Sequence, residues 1–384
     1  MQRWYEEGES SWVNVTCPHC SYLIVQLRSG TNRLPDVAAA TAMSSEVSIG
    51  RHEPSGFHVF TILTIACPDA GLLLRRFPVT AEVIDGQAYA KVLKDEVQLV
   101  ITQVLEAGVS CGLATVMVGS DYAALAYERR LRRLAGQLGV DYRHYWLGPE
   151  VTSEAVVRVV RQLNTDPAVH GILVLRPLPE HVLESEIFQA LDPCKDIESV
   201  HPENAGLLAL GTPRFVPSTP ASVFHILDGW LDAVGEERTD FYRRSTIVVV
   251  GRSNNVGKPT VSLGYARNAV VVSCDEWASH TGRLAEHTRL ADVLVVATGV
   301  VGLIRGEHIR DGSVILDVGI NPVTDAATGK VHMVGDVDFT TVAAKARAIT
   351  PVPGGVGPVT DVWLMRNTAA AAAGSLRPIS TARS

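Results

Sequence analysis

The sequence predicts an α/β protein: a Rossmann-like doubly wound domain, an α/β domain ahead of it, and a small β-rich module at the N-terminus. Three observations carry this. From about residue 82, apolar strands alternate with amphipathic helices over short connections, the pattern of a parallel sheet with crossover helices. At Ser245 the alternation restarts with "STIVVVG", an apolar strand that runs into a glycine loop. Before about residue 80 the texture differs. "WVNVTCPHCSYLIVQLRSG" and "GFHVFTILTIACPDAGLLLRRFPV" flank a polar, Ala/Ser-rich middle, and their β-branched and aromatic residues suggest antiparallel strands. The expected division is 1–80 for the module, 81–220 for the α/β domain, completed by a helix over 358–376, and 221–357 for the doubly wound domain.

Each element has its own signal. "VIDGQAYAKVLKDEVQLVITQVLEAG" carries apolar residues at three- and four-residue intervals, as a helix with one buried face does. "CGLATVMVG" is a buried strand, and "YAALAYERRLRRLAGQLGV" an amphipathic helix stopped by Gly139. "EVTSEAVVRVVRQLN" is a further helix and "HGILVLRPL" the strand after it. In the second half "RSNNVGKPTVSLGYARN" opens from loop to helix, and the strands "AVVVSC", "ADVLVVATG" and "GSVILDVGI" follow.

Composition narrows the function classes. The chain has 384 residues, 46% of them apolar, a net charge of -7 and scattered basic residues, which fits a well-buried globular protein and argues against nucleic acid as the main partner. The longest apolar stretches fall short of the roughly 18 residues that a membrane helix requires. "MQRWYEEGESSW" lacks the apolar core of a signal peptide, and six cysteines, two of them closely spaced, make no disulfide framework. A soluble cytoplasmic protein is expected, with neither membrane nor nucleic acid as partner.

The first candidate site is "VVVGRSNNVGKP". Gly251 ends a strand and Gly257 begins a helix, so a dinucleotide pyrophosphate can rest on the N–H groups of that helix terminus, lined by Arg252, Ser253 and Val256. The three-glycine fingerprint is incomplete, because Ser253 holds the middle glycine's place. Asp275 and Glu276 lie where an acidic side chain accepts the ribose hydroxyls of NAD, whereas Arg252 and Ser279 suit the extra phosphate of NADP. The balance tips to NADP, with NAD still open. The second candidate is "TPVPGGVGPVT" at 350–360. Its glycines let bare backbone approach a flat ring and its prolines fix φ, while Pro358 suits a first helical turn. A rigid interdomain turn is the plainer reading.

Taken in order, "VIDGQAYA", "VGSDYAALAYERR", "HGILVLRPLPEHV", "LDPCKDIESVHPENAGLL", "VPSTPASVFHIL", "VGRSNNVGKP", "DVGIN", "VGDVDF" and "ITPVPGGVGPVT" resemble the methylenetetrahydrofolate dehydrogenase/cyclohydrolase family over about residues 82–375. The resemblance implies a homodimer that passes hydride from 5,10-methylenetetrahydrofolate to NADP or NAD and then hydrolyses the methenyl product to the 10-formyl compound. It further implies that Pro353, Gly354, Gly355 and Thr360 border the folate, that Ile320 lies on the cofactor side, and that Tyr127 stacks on a flat ring. A tyrosine on such a helix also serves as core packing.

Three positions depart from the family pattern. Its hydrolytic lysine, four residues after the tyrosine, is Leu131 here, and its glutamine is Leu175. Leucine neither donates nor carries charge. Arg130 and Arg132 project about 100° to either side on a helix, and guanidinium stays protonated, so neither is a good base. The pterin-gripping aspartate is Glu198, which keeps a carboxylate displaced by about 1.5 Å; the glycine after it is Ser199. Lys195 and Asp196 are expected to brace this loop. Together these features predict a dehydrogenase of one-carbon metabolism, with Tyr127 and Glu198 as its active-site pair and its cyclohydrolase activity weak or lost. The alternatives are a family member repurposed for another one-carbon substrate and a non-catalytic folate or dinucleotide sensor.

In the N-terminal module, Cys17 and Cys20 of "CPHC" make half a zinc ribbon. Cys67 is a third candidate ligand, with His52 and His58 as substitutes for a fourth. A metal-free β module is the alternative.

Overall fold

A computed structural model describes residues 81–324 and 329–375, together with the backbone of three strands between residues 4 and 28. The strands β1 (Trp4–Glu7), β2 (Ser10–Thr16) and β3 (Leu23–Arg28) pair antiparallel in that order, within a unit that ends at Val79.

The larger unit opens with β4 (Glu82–Val83) and α1 (Gly86–Glu106). Asp85 caps α1 by accepting from Gln87 N at 2.9 Å. Ala90, Leu93, Val97, Ile101 and Val104 form its buried stripe. Next come β5 (Gly112–Val118), α2 (Tyr122–Leu138), β6 (Asp141–Leu147), α3 (Ser153–Thr165), β7 (Gly171–Val174), α4 (Glu184–Ala190) and α5 (Pro202–Ala209). The three strands form a parallel sheet in the order β6-β5-β7. β5 is its middle member and is buried throughout, as its unbroken apolar run requires. Asp121 caps α2 through Ala124 N at 2.8 Å, and Gly139 ends it at φ +76.

Two helices, α6 (Ser218–Ala233) and α7 (Arg238–Arg244), lead to the second lobe; α6 runs unbroken through the boundary expected at 220/221. Then follow β8 (Thr246–Val250), α8 (Gly257–Ala266), β9 (Val270–Cys274), α9 (Glu276–His280), α10 (Leu284–Thr288), β10 (Val293–Val296) and β11 (Val314–Asp317). The chain closes with β12 (Asn321–Thr324), β13 (Val331–Val334), α11 (Phe339–Ala343), β14 (Ala348–Ile349) and α12 (Val356–Ser375). The second sheet is parallel throughout, in the order β4-β14-β11-β10-β8-β9. β12 and β13 make a separate antiparallel pair. The doubly wound expectation holds, with an addition that the sequence hid: β4, from the start of the first lobe, forms one edge of the second lobe's sheet.

The last helix returns. α12 lies against α1 and α6 and touches α2. Asn367, buried on α12, donates from Nδ2 to the carbonyls of Ile197 at 2.9 Å and Val216 at 2.8 Å. It thereby ties together the loop that carries Glu198 and the loop that leads into its partner Ser218, described below.

Candidate active site

The glycine loop is built by close backbone approach. Gly251 leaves β8 at φ +115, and a Cβ there would stand 2.1 Å from Ala297 O at the end of β10. A Cβ on Gly257, the first residue of α8, would stand 2.1 Å from Gly251 O. No larger residue fits either place, so the α8 N-terminus meets the sheet edge as bare backbone. Ser253 shapes the turn: its Oγ accepts from Val256 N at 3.3 Å and Gly257 N at 3.2 Å.

The conflict between Arg252 and Asp275 becomes an alliance. Arg252 donates from Nη1 to Asp275 Oδ2 at 2.7 Å, from Nη2 to Ser273 O at 2.7 Å and from Nε to Ser273 Oγ at 3.1 Å. Asp275 also caps α9 through Trp277 N at 3.2 Å. The acidic side chain is thus engaged in positioning the guanidinium over the end of β9. Ser279, with Arg305 and His308, lines an adjoining cleft of about 400 Å³.

The glycine–proline segment forms a wall tied to both lobes. Gly354 sits at φ +111, and a Cβ on Gly86 at the start of α1 would stand 1.8 Å from Gly355 O. On the other side Ile320 Cδ1 lies 3.4 Å from where a Cβ on Gly357 would be, so Ile320 meets this wall. Two aspartates that the sequence reading did not single out hold the region. Asp317 accepts from Gly319 N, Asp336 N and Val337 N at 3.0–3.1 Å. Burial pushes its carboxyl up to about 7 against the pull of those hydrogen bonds. Asp336 accepts from Thr298 N at 2.6 Å, Gly299 N at 2.9 Å and Asn321 Nδ2 at 2.9 Å. The motifs "DVGIN" and "VGDVDF" contain both residues, and their meeting across 19 positions joins β11 to the turn after β13.

Glu198 lies on a braced loop. Lys195 donates from Nζ to Asp166 O at 2.7 Å and Leu163 O at 3.1 Å. Asp196 is fully buried and accepts from Val200 N, His201 N and Asn204 Nδ2. Ser199 takes the family glycine's place in the left-handed region, at φ 52, and donates from Oγ to Phe215 O at 2.6 Å. Glu198 Oε1 accepts from Ser218 N at 3.0 Å, capping α6, which has no side-chain cap of its own at Pro217. Burial raises the Glu198 carboxyl to about 7, with Asp196 adding to the rise and Ser218 and Arg176 opposing it.

Tyr127, half-buried on α2, packs on the core, and the Arg130 guanidinium carbon lies 5.2 Å from its ring centroid. Burial drives its hydroxyl well above the usual tyrosine range, helped by the charges of Asp361 and Glu198. Tyr127 and Glu198 are therefore brought together, while Leu131 and Leu175 are buried in one apolar cluster. Thr360 is buried on α12, its Oγ1 donating to Val356 O at 3.1 Å. Cys17, Cys20 and Cys67 lie outside the described residues, as do His52 and His58. Among the described residues, no cluster of three or more His, Cys, Asp or Glu is arranged to hold a metal.

Family models match both lobes: the catalytic domain of tetrahydrofolate dehydrogenase/cyclohydrolase over residues 84–198, and its NAD(P)-binding domain over 217–376. The chain belongs to the tetrahydrofolate dehydrogenase/cyclohydrolase family. It is 58% identical over 295 residues to bifunctional protein FolD 3 of Rubrobacter xylanophilus, covering 77% of this chain and 93% of that one. With bifunctional protein FolD 2 of Geobacter sulfurreducens it shares 41% over 293 residues, 76% of this chain and 97% of the other. Among solved structures, the Trypanosoma brucei N5,N10-methylenetetrahydrofolate dehydrogenase-cyclohydrolase, complexed with NADP cofactor and inhibitor, matches with a TM-score of 0.71 and 34% identity. That match covers 78% of this chain and 99% of that chain. The family's lobes thus correspond to the two sheets described above, and the N-terminal unit lies outside them. Among the described residues no helix is long and apolar enough to cross a membrane.

Proposed function

We propose that this chain oxidises 5,10-methylenetetrahydrofolate with NADP, and that its hydrolysis of the methenyl product is weak. The observation that carries this reading is a contrast within one site. The glycine loop at Gly251 and Gly257 and the wall at Pro353–Gly355 keep the crowded, side-chain-free backbone that binding two flat ligands would need, whereas the positions of the hydrolytic pair hold buried leucines, Leu131 and Leu175.

What supports a dinucleotide here is that Gly251 and Gly257 let backbone pack against backbone, so that no side chain stands between the α8 N-terminus and the end of β8. Gly251, Ser253, Val256 and Gly257 would hold its phosphates at the α8 terminus. Arg252, oriented by Asp275, and Ser279 would take the additional phosphate, which favours NADP over NAD; the trypanosomal relative's complex with NADP supports the same choice. Ile320 would border the nicotinamide, which when bound accepts the hydride. Pro353, Gly354, Gly355 and Thr360 would border the folate, Tyr127 would stack on it, and Glu198 would accept two hydrogen bonds from the amidine-like edge of the pterin. The protein's contribution is to align two rings and exclude water. The working unit is 81–220 with the helix 358–376, and 221–357, in a cytoplasmic homodimer.

Purified protein given methylenetetrahydrofolate and NADP is expected to accumulate reduced cofactor, with slow conversion of methenyl to formyl product. Absence of reduced cofactor with either NADP or NAD would overturn the reading and favour a repurposed enzyme or a sensor.

A further inference from the structure

Next to Leu131 on α2, Arg130 enters a charged pair that joins helices far apart in sequence. Arg130, on α2, donates from Nε to Asp361 Oδ2 at 3.0 Å and from Nη2 to Asp361 Oδ1 at 3.3 Å, a two-pronged contact across 231 residues. Asp361 follows Thr360 in the first turns of α12, where the helix leaves the glycine–proline wall. Its side chain is 13% exposed, and that of Arg130 46%. The same guanidinium stands over Tyr127, and the charges of both Asp361 and Glu198 reach the Tyr127 hydroxyl. One arginine and two carboxylates thus surround the tyrosine. The fully buried Leu131, adjacent to Arg130 on α2, contributes no polar group. Burial lifts the Asp361 carboxyl above the usual aspartate range, with Arg130 opposing the rise, so the group accepts a proton more readily than a surface aspartate.

We propose that Asp361, oriented by Arg130, is the base that activates water for whatever methenyl hydrolysis this chain performs, in place of the absent lysine. The inference rests on the folate site proposed above. In the step, a water O–H bond breaks and its proton passes to the Asp361 carboxylate while the oxygen bonds to the methenyl carbon. The bond from that carbon to N5 then breaks with its electron pair remaining on N5. Asp361 returns its proton to N5, and the hydroxyl proton leaves to solvent as the formyl C=O forms. One water is consumed and one proton released, as conversion of a cation to a neutral product demands. The pair is neutral as a whole, so it faces a cationic substrate without repulsion. Arg130 is a positioning residue: it fixes both carboxylate oxygens and exchanges no proton.

The test uses the full-length protein, with the oxidation and the hydrolysis measured separately at saturating substrate. For Asp361→Asn, hydrolysis is expected to fall about a hundredfold, the low end of what a general base contributes, or to the uncatalysed rate where that is reached first. Oxidation should keep most of its rate. Arg130→Gln alters a half-exposed side chain and leaves the carboxylate in place; it should lower hydrolysis several-fold, with Arg130→Lys recovering part of the loss. Unchanged hydrolysis in either Asp361→Asn or Arg130→Gln overturns the proposal. So does a wild-type protein that oxidises methylenetetrahydrofolate but hydrolyses the methenyl compound no faster than buffer, a result that leaves the dehydrogenase reading standing. Failure of the oxidation itself in wild type removes the folate site on which the proposal rests.

Discussion

Glu198 shows how one added methylene is accommodated. Its longer side chain reaches the α6 terminus and accepts from Ser218 N, so part of its hydrogen-bonding capacity serves the fold. Burial and Asp196 hold the carboxyl near 7, and this has two consequences of opposite sign. In the role proposed for it at the pterin edge Glu198 must be ionised, so folate affinity should rise as pH increases through about 7 and then level off. Glu198→Gln should lose that rise, as titration of folate binding at several pH values would reveal. Stability runs the other way. A carboxyl raised in the fold disfavours its own charge, so stability is fully present below the ordinary glutamate value and declines as pH climbs from there through about 7. Asp317, also near 7, adds to the same decline. Thermal melting of wild type against Glu198→Gln isolates the share due to Glu198: the variant should lose less stability between pH 5 and 8.

Among the elements, α12 has the widest influence. It starts at the wall, contributes Asp361 to the pair with Arg130, and ends its work through Asn367. Asn367→Ala would leave the carbonyls of Ile197 and Val216 without donors, at about 1–3 kcal/mol for each buried group. A lowered melting temperature is expected, and because Glu198 follows Ile197 directly, a raised KM for folate with NADP affinity unchanged. Retained folate KM would mean that the loop is held by other contacts. The sequence announced α12, as it did β5, β8, β10 and β11, because elements that are long, or covered on both faces, leave continuous apolar patterns. It could not announce β4 and β14, two residues each, whose only signal is their pairing within the sheet, β4 with β14 and β14 with β11. Nor could it announce Ser218 as the partner of Glu198, or Asp361 as that of Arg130, since nothing local links positions 20 and 231 residues apart. The lone aspartate in "DVWLMRN" was the available hint. The glycine positions were readable because backbone crowding admits no other residue.

For the molecule as a whole, the relatives set an expectation about the N-terminal unit. About three-quarters of this chain spans 93% of the Rubrobacter relative and 97% of the Geobacter one, and the family models match within residues 84–376, so the N-terminal unit lies outside the part shared with them. A chain beginning at Thr80 retains the anchor of Ala81 N to Ala343 O at 2.7 Å and the β4–β14 pairing. It should fold and keep NADP-linked oxidation, and an unfolded or inactive product would show that the first unit is integral to the enzyme. The two lobes themselves are another matter. The backbone passes between them at β4 into α1, through α6, and from β14 into α12. These passages run side by side, since β4 pairs with β14 while α1, α6 and α12 pack together. Three parallel tethers behave as the knuckles of a door hinge: they permit opening about one line and resist twisting or sliding, so every turnover would begin with the two ligands in the same rotational alignment.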